Sequence, residues 1–195
     1  MPPMKDSSNS TPRTDEELQE VTVGELKPHN ATITLSEYDP RWPELFDREA
    51  KRIRSVLGNK ALQVEHVGST SVPGLCAKPI IDILLVVTDS ADETTYVPDL
   101  EKVGYTLRIR EPDWFEHRVF KGPDTDINLH VFSKETSEID RMLRFRDWLR
   151  ANNSDRDNYA RVKRKLAQHE WRQVQHYADA KSSIVQEIME RANAT

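Results

Sequence analysis

The sequence predicts one α+β domain of α/β-like layering, in which a mixed β-sheet is flanked by helices and the C-terminal third is helical. Three observations predict it. Ile80-Ile81-Asp82-Ile83-Leu84-Leu85-Val86-Val87 is almost wholly β-branched or apolar, the pattern of a central strand covered on both faces. Three shorter strand-like runs follow, Tyr105 to Arg110, Phe115 to Lys121 and Ile127 to Phe132, separated by turn residues. Beyond Ser133 the apolar spacing changes from the period of a strand to that of a helix.

Taken in order, residues 1–30 are rich in Ser, Thr, Pro and charge and lack aromatics, which predicts a disordered tail. The domain is expected over residues 31–195. Ile33-Thr34-Leu35 reads as a short strand. Asp39-Pro40-Arg41-Trp42-Pro43 then leads into a helix, with Pro43 suited to its first turn. Leu45, Phe46, Ala50, Ile53, Val56 and Leu57 recur at helical spacing until Gly58 ends it. Ala61 to Val67 alternates weakly as a strand. Asp92 to Val103 is a helix candidate despite Pro98, closed by Gly104. In the last third, Ile139, Met142, Leu143, Phe145, Trp148 and Leu149 supply one apolar stripe and Tyr159, Val162 and Leu166 a second. A final helix runs from about Lys181 through Ile188.

The 195 residues, 36% of them hydrophobic, suffice for one core and are short for two. No run approaches the roughly 20 apolar residues of a membrane span, so a soluble, cytoplasmic protein is expected. The single cysteine, Cys76, supports neither a disulfide framework nor a thiolate-rich zinc site and reads as a small buried residue. A net charge of −5 argues against a protein that coats polyanions, yet ten basic residues fall between Arg141 and Arg172. That stretch is either a solvated helical face or an attraction for an anionic ligand.

The functional centre is expected at His66-Val67-Gly68-Ser69-Thr70 and the strand that follows. A carboxylate on a buried strand costs several kcal/mol unless a cation or hydrogen-bond donors compensate it, so Asp82 needs a partner. A metal ion is one answer and a Lys or Arg the other. The upstream turn favours the metal: Gly68 permits close backbone approach, while Ser69, Thr70 and Ser71 offer the hydroxyls and amides that hold phosphate oxygens.

His66-Val67-Gly68-Ser69-Thr70-Ser71-Val72-Pro73-Gly74, Ala77-Lys78-Pro79-Ile80-Ile81-Asp82-Ile83 and Asn128-Leu129-His130-Val131-Phe132 resemble the motifs of the GrpB family. The likeness extends through Tyr38 to Pro43, Phe145 to Arg150 and Tyr177 to Lys181, and covers about Thr32 to Arg191. That family in turn resembles the nucleotidyltransferase superfamily, with its Gly-Ser turn and a strand bearing two alternate acids. The resemblance implies that Gly68 and Ser69 face phosphates and that Asp82 faces a divalent metal such as Mg2+. Two acids two residues apart share one side of a strand and so share a metal pair. Here the second position is Leu84, which binds no cation. A neighbouring strand offers Asp126, Asn128 and His130 instead, and His130 can ligate metal or move a proton.

Other candidates each have a structural alternative. Glu65 could replace the missing carboxylate or act as a general base, or be an exposed strand-end acid. Lys78 could pair with Asp82 or with phosphate, or only set the start of the strand. Arg118 and His130 are expected to point into one cleft, with His117 facing solvent. Tyr159 with Lys163, and Tyr177 with Lys181, share helical faces and suit a base and a phosphate, or are packed tyrosines with snorkelling lysines. Trp42, Trp114, Trp148 and Trp171 are expected in the core or at its rim. Three functions fit: a transferase acting on a nucleotide or other phosphorylated donor with one metal, a metal-free acyl transferase using an aminoacyl-tRNA-like donor, and a non-catalytic ligand-binding module. The partners implied are a nucleotide or phosphorylated small molecule, and a tRNA in the second case.

Overall fold

A computed structural model describes residues 14–24, 33–169, 177 and 180–194. A five-stranded mixed sheet forms its centre, built from β1 (Gln63–Val67), β2 (Ile81–Val87), β3 (Thr106–Glu111), β4 (His117–Lys121) and β5 (Ile127–Ser133). Its strand order is β1-β2-β5-β4-β3. Only the central β2–β5 pair is parallel; the flanking pairs are antiparallel. The expected α+β layering is what the chain adopts.

Both faces of the sheet are covered, which explains the unbroken apolar run of β2. Ile81, Ile83, Leu85 and Val87 lie in one core with Phe120, Leu129 and Val131, beneath α2 (Trp42–Leu57) and α3 (Val97–Lys102). The alternate residues Leu84 and Val86 lie with Val67 and Phe132 on the other face, beneath Ile139 and Met142 of α4 (Ser137–Ala151). A third apolar cluster joins α4 to α5 (Asn153–Ala167) and α6 (Ser182–Asn193) and takes in Val72, Leu75 and Cys76 from the loop before β2. That loop is therefore seated between the sheet and the helical third.

Local chemistry sets the boundaries. Pro43 sits in the first turn of α2, where its missing N–H is no loss, and Gly58 ends the helix at φ +55°. Pro98 acts likewise on α3 and shortens the helix expected over Asp92–Val103 to a 3-10 turn, Glu93–Thr95, followed by six residues of α-helix. The strand expected from Phe115 starts at His117, because Phe115 and Glu116 adopt φ of +56° and +50° to turn the hairpin. Ile33 to Leu35 forms no strand; Ser36 instead exchanges two backbone hydrogen bonds with Ala77. The expectation of a wholly disordered tail is corrected in part. Thr14 and Glu17 form a reciprocal capping box on α1 (Asp15–Val21), Leu18 is buried, and the Val23 amide donates to Arg108 O of β3 at 2.8 Å. Residues 1–13 and 25–32, and with them the rest of that tail, lie outside the described residues, as do Trp171 and Arg172.

One buried polar cluster fastens α2 to the far side of the sheet. Glu49 is fully buried and accepts from Tyr105 Oη at 2.5 Å and Thr125 Oγ1 at 2.9 Å. Arg52, half-way to solvent, pairs with Glu49 at 3.2 Å and with Asp124 at 2.9 Å. Removing the shared carboxylate leaves several donors without an acceptor. Glu49→Ala is expected to lower stability in urea denaturation by about 3 kcal/mol, and Tyr105→Phe, which loses one bond, by about 1 kcal/mol.

Candidate active site

Gly68 ends β1 and begins the 3-10 turn Ser69–Ser71, with φ +69° and ψ −171°, a conformation nearly confined to glycine. A Cβ here would stand 2.3 Å from Asp82 Oδ2. The turn is thus pressed against the carboxylate, and only a residue without a side chain permits it. Register explains the meeting: Val67, the last residue of β1, pairs with Asp82 near the start of β2.

Asp82 shares its sheet face with two β5 residues. Asn128 is its register partner and donates from Nδ2 to Asp82 Oδ1 at 2.8 Å. His130 lies one alternation further on, with Nε2 3.7 Å from the same oxygen, too far for a hydrogen bond. Burial works to raise the proton affinity of the Asp82 carboxyl, but the His130 ring and the Asn128 amide oppose it, and the group is held below the ordinary carboxylate range. Burial pushes His130 down to about 4, so its ring is neutral near pH 7. His130 Nε2 is buried and has no hydrogen-bond partner among the described residues.

The second acid position is closed by packing. Leu84 is fully buried in the apolar cluster under α4 and is flanked in register by Glu65 on β1 and His130 on β5. Glu65 therefore shares the face of Asp82, but its carboxylate accepts from Arg146 Nη1 of α4 at 2.9 Å. Asp126 precedes β5, exposed, and is held by Lys121 at 3.2 Å.

The helical third supplies a buried ammonium. Lys163 of α5 is 2% exposed; its Nζ donates to Ser69 Oγ at 3.0 Å and to Cys76 O, and lies 4.8 Å from the centre of the Tyr159 ring. Burial, reinforced by the charge of Lys181, pushes Lys163 down to about 7. Lys181 Nζ in turn lies 4.5 Å from the centre of the Tyr177 ring. Arg150 of α4 donates from Nε and Nη2 to Ser71 O at 3.0 and 2.9 Å, so a second cation grips the same turn. Lys78 is half-buried just before β2, and burial followed by the charge of Lys121 lowers its pKa. Many other arginines of the basic stretch are neutralised locally, Arg141 by Glu138, Arg156 by Asp157 and Arg164 by Glu37.

The structure brings together Gly68, Ser69, Asp82, His130, Tyr159 and Lys163, with Glu65 on the same sheet face. It sends others elsewhere. Thr70 is buried, and its hydroxyl meets His66 Nε2 at 3.0 Å and Ile80 O at 3.3 Å. His66 points to the opposite face, where it stacks on Phe46 of α2 and burial pushes it down to about 4. Arg118 does not share a cleft with His130. In register it lies beside Val131, on the other side of the sheet, and donates to Glu93 at 2.7 Å and Glu116 at 3.1 Å. His117 is the residue on the His130 side, 3% exposed rather than facing solvent, because the one-residue offset along β4 exchanges the two faces. Its Nε2 is 3.1 Å from His130 Nδ1, and its Nδ1 is 2.7 Å from Glu111 Oε2. Sequence reasoning missed Glu111 and His117, as well as the individual contacts of Arg146 and Arg150.

The model of one protein family, described as GrpB protein, matches residues 32–191. This chain belongs to the GrpB family. Over its full length it is 97% identical to all of a UPF0157 protein of Halalkalibacterium halodurans. It is 44% identical over 86% of its length to a UPF0157 protein of Streptomyces coelicolor, covering 88% of that protein. Among solved structures, the conserved protein GrpB from Enterococcus faecalis superposes with a TM-score of 0.72 at 34% identity, covering 82% of this chain and 96% of that one. The matched range coincides with the span of motifs from Thr32 to Arg191. Among the described residues, no helix of this GrpB protein is long and apolar enough to cross a membrane.

Gly68→Ala is expected to destabilise the protein by about 2–4 kcal/mol in thermal or urea unfolding, since strain at such a φ alone costs about 1–3 kcal/mol and the new methyl displaces Asp82. Gly74, at φ +78°, would bring its methyl no closer than 3.8 Å to the Arg156 guanidinium. Gly74→Ala should therefore cost only the backbone share, about 1 kcal/mol.

Proposed function

We propose that this GrpB protein is a transferase that binds a nucleotide or another phosphorylated donor between the Gly68–Ser69 turn and Asp82. One observation carries the reading: a buried ammonium, Lys163, is held against Ser69 of a turn that also packs on the half-buried Asp82 carboxylate. An ammonium bonded to neutral oxygens and a carboxylate bonded to a neutral amide each gain from an opposite charge, and a ligand carrying phosphate oxygens and an associated cation supplies both.

In this reading Ser69 and Lys163 receive phosphate oxygens, and Tyr159 fixes the direction of the ammonium. Tyr177 and Lys181 extend the binding surface, and Lys78 adds positive charge on the β2 side. The family resemblance implies a divalent cation at Asp82. The residues fit one, because the carboxylate is ionised and the buried His130 Nε2 beside it has no other partner among the described residues. Such a cation would neutralise phosphate charge and orient the leaving group. Glu65, on the same face, is the candidate to take the proton of an acceptor hydroxyl or amine once Arg146 releases it.

Leu84 favours a second chemistry on the same surface. With an apolar side chain where a paired acid would stand, two-metal nucleotidyl transfer lacks a ligand. An amine acceptor attacking the ester carbon of an aminoacyl-tRNA-like donor needs no metal: the new amide bond forms, the ester oxygen leaves, and Glu65 or His130 carries the proton between them.

Isothermal titration with nucleoside triphosphates and Mg2+ tests the first reading. Wild-type binding is expected, lost in Asp82→Asn and weakened about tenfold or more in Lys163→Met, which retains the volume of the side chain. Lys163 is charged below about pH 7 and neutral above it. Wild-type affinity should accordingly fall as pH rises past 7, by up to about tenfold per unit, with a shallower slope in Lys163→Met. Binding that ignores Asp82 would contradict the reading. Turnover of an acyl donor that survives chelation of divalent metals would favour the second chemistry, and binding without turnover of any donor would assign the site to recognition alone.

A further inference from the structure

Four side chains form a continuous line across the buried face of the sheet, from the end of β3 to the start of β2. Glu111 Oε2 is 2.7 Å from His117 Nδ1, His117 Nε2 is 3.1 Å from His130 Nδ1, and His130 Nε2 stops 3.7 Å from Asp82 Oδ1. The two imidazole planes lie within 9° of parallel, and Phe132 stacks on the His117 ring at 4.5 Å, which hinders that ring from turning.

The protons of this line follow from its ends. An ionised carboxylate can only accept, so His117 Nδ1–H donates to Glu111. A neutral His117 then has only a lone pair at Nε2, and His130 Nδ1–H donates into it. The single ring proton of His130 is thereby committed to Nδ1, and Nε2 is left as a bare lone pair. That lone pair belongs to a side chain only 9% exposed, has no hydrogen-bond partner among the described residues, and faces an anionic oxygen. Two electron pairs in this arrangement repel each other unless a cation or a hydrogen-bond donor lies between them. Their separation is too long for a hydrogen bond and within a few tenths of an ångström of the about 3.0–3.4 Å between two neighbouring ligands bound at about 2.1 Å.

Resting on the reading of the turn as a phosphate site, we propose that His130 Nε2 and Asp82 Oδ1 are the two protein ligands of one divalent cation that accepts a nitrogen donor, such as Mn2+ or Co2+, and that Glu111 and His117 are positioning residues that fix the tautomer in which His130 binds it. Imidazole takes the place that a second carboxylate at Leu84 would have filled, which shifts the preference away from Mg2+. No group of three or more His, Cys, Asp or Glu side chains surrounds the point among the described residues. The remaining coordination positions are therefore left to phosphate oxygens and water, as a cation that bridges protein and donor requires.

Two measurements on the whole protein test this. Long-range 15N NMR of the histidine rings in the cation-free wild type should show His130 protonated at Nδ1 and bare at Nε2. Mn2+ titration followed by electron paramagnetic resonance should give tighter binding than Mg2+ does in competition. Glu111→Gln, whose amide can donate to His117 and reverse the line, and His117→Phe should weaken Mn2+ by about 10- to 100-fold, while His130→Ala removes the preference for Mn2+ over Mg2+. A proton found at His130 Nε2 overturns the proposal, and so does wild-type Mn2+ affinity in Glu111→Gln and His117→Phe proteins with native melting curves. If those variants do not fold, the wild-type NMR result decides alone. Triphosphate binding measured in parallel separates the two readings. Mn2+ bound in dependence on Glu111 without any triphosphate binding keeps the cation pair and removes the phosphate site; the converse keeps the phosphate site and removes the pair.

Discussion

The site depends on an ionised carboxylate placed on the central strand of a sheet covered on both faces. Asp82 stands near the start of β2, between β1 and β5, where every other side chain on that strand is apolar. Burying it without compensation would cost several kcal/mol. Its surroundings are the compensation: the Asn128 amide in register on β5, and a glycine on the β1 side that lets the Gly68–Ser69 backbone come closer than any other residue would allow. Each of these comes from a different strand or turn, so the carboxylate also specifies how the sheet is assembled at that end.

The helical third completes the site rather than merely covering it. Val72, Leu75 and Cys76 anchor the loop after the turn in the core shared by α4, α5 and α6. Lys163 and Arg150 then hold the turn from two helices through Ser69 Oγ, Cys76 O and Ser71 O. The same packing fixes what the site lacks. Ile139 and Met142 of α4 press on Leu84, and an acid there would have to be buried in hydrocarbon. An acid at position 84 and the docking of α4 would thus exclude one another.

Features governed by local sequence were legible and those governed by the choice of face were not. β2 could be read from its unbroken apolar run, α2 from Pro43, its periodic stripe and Gly58, and the meeting of the Gly68 turn with Asp82 from a glycine turn followed by an acid on an apolar strand. The pairing of Tyr159 with Lys163 followed from helical spacing alone. Arg118 and His117 were assigned the wrong way round because β4 is covered on both sides. Alternation then shows only that neighbours differ in face, and the register with Val131 and His130 decides which is which. Glu111 carried no signal, since its role arises from a hydrogen bond across the β3–β4 hairpin. The helix at Asp15–Val21 was hidden by a composition averaged over the whole N-terminal stretch, although Thr14 and Glu17 stand at capping-box spacing.

The central claim is that a phosphorylated donor and a cation occupy the space between the Ser69 turn and the β2–β5 strand ends. Anomalous diffraction from crystals soaked with Mn2+ and a non-hydrolysable nucleoside triphosphate tests it most directly. A manganese peak bound to Asp82 Oδ1 and His130 Nε2, with the phosphates against Ser69 and Lys163, is the expected result. Triphosphate bound away from Lys163, or manganese bound elsewhere while this position stays vacant at saturating concentration, would contradict it.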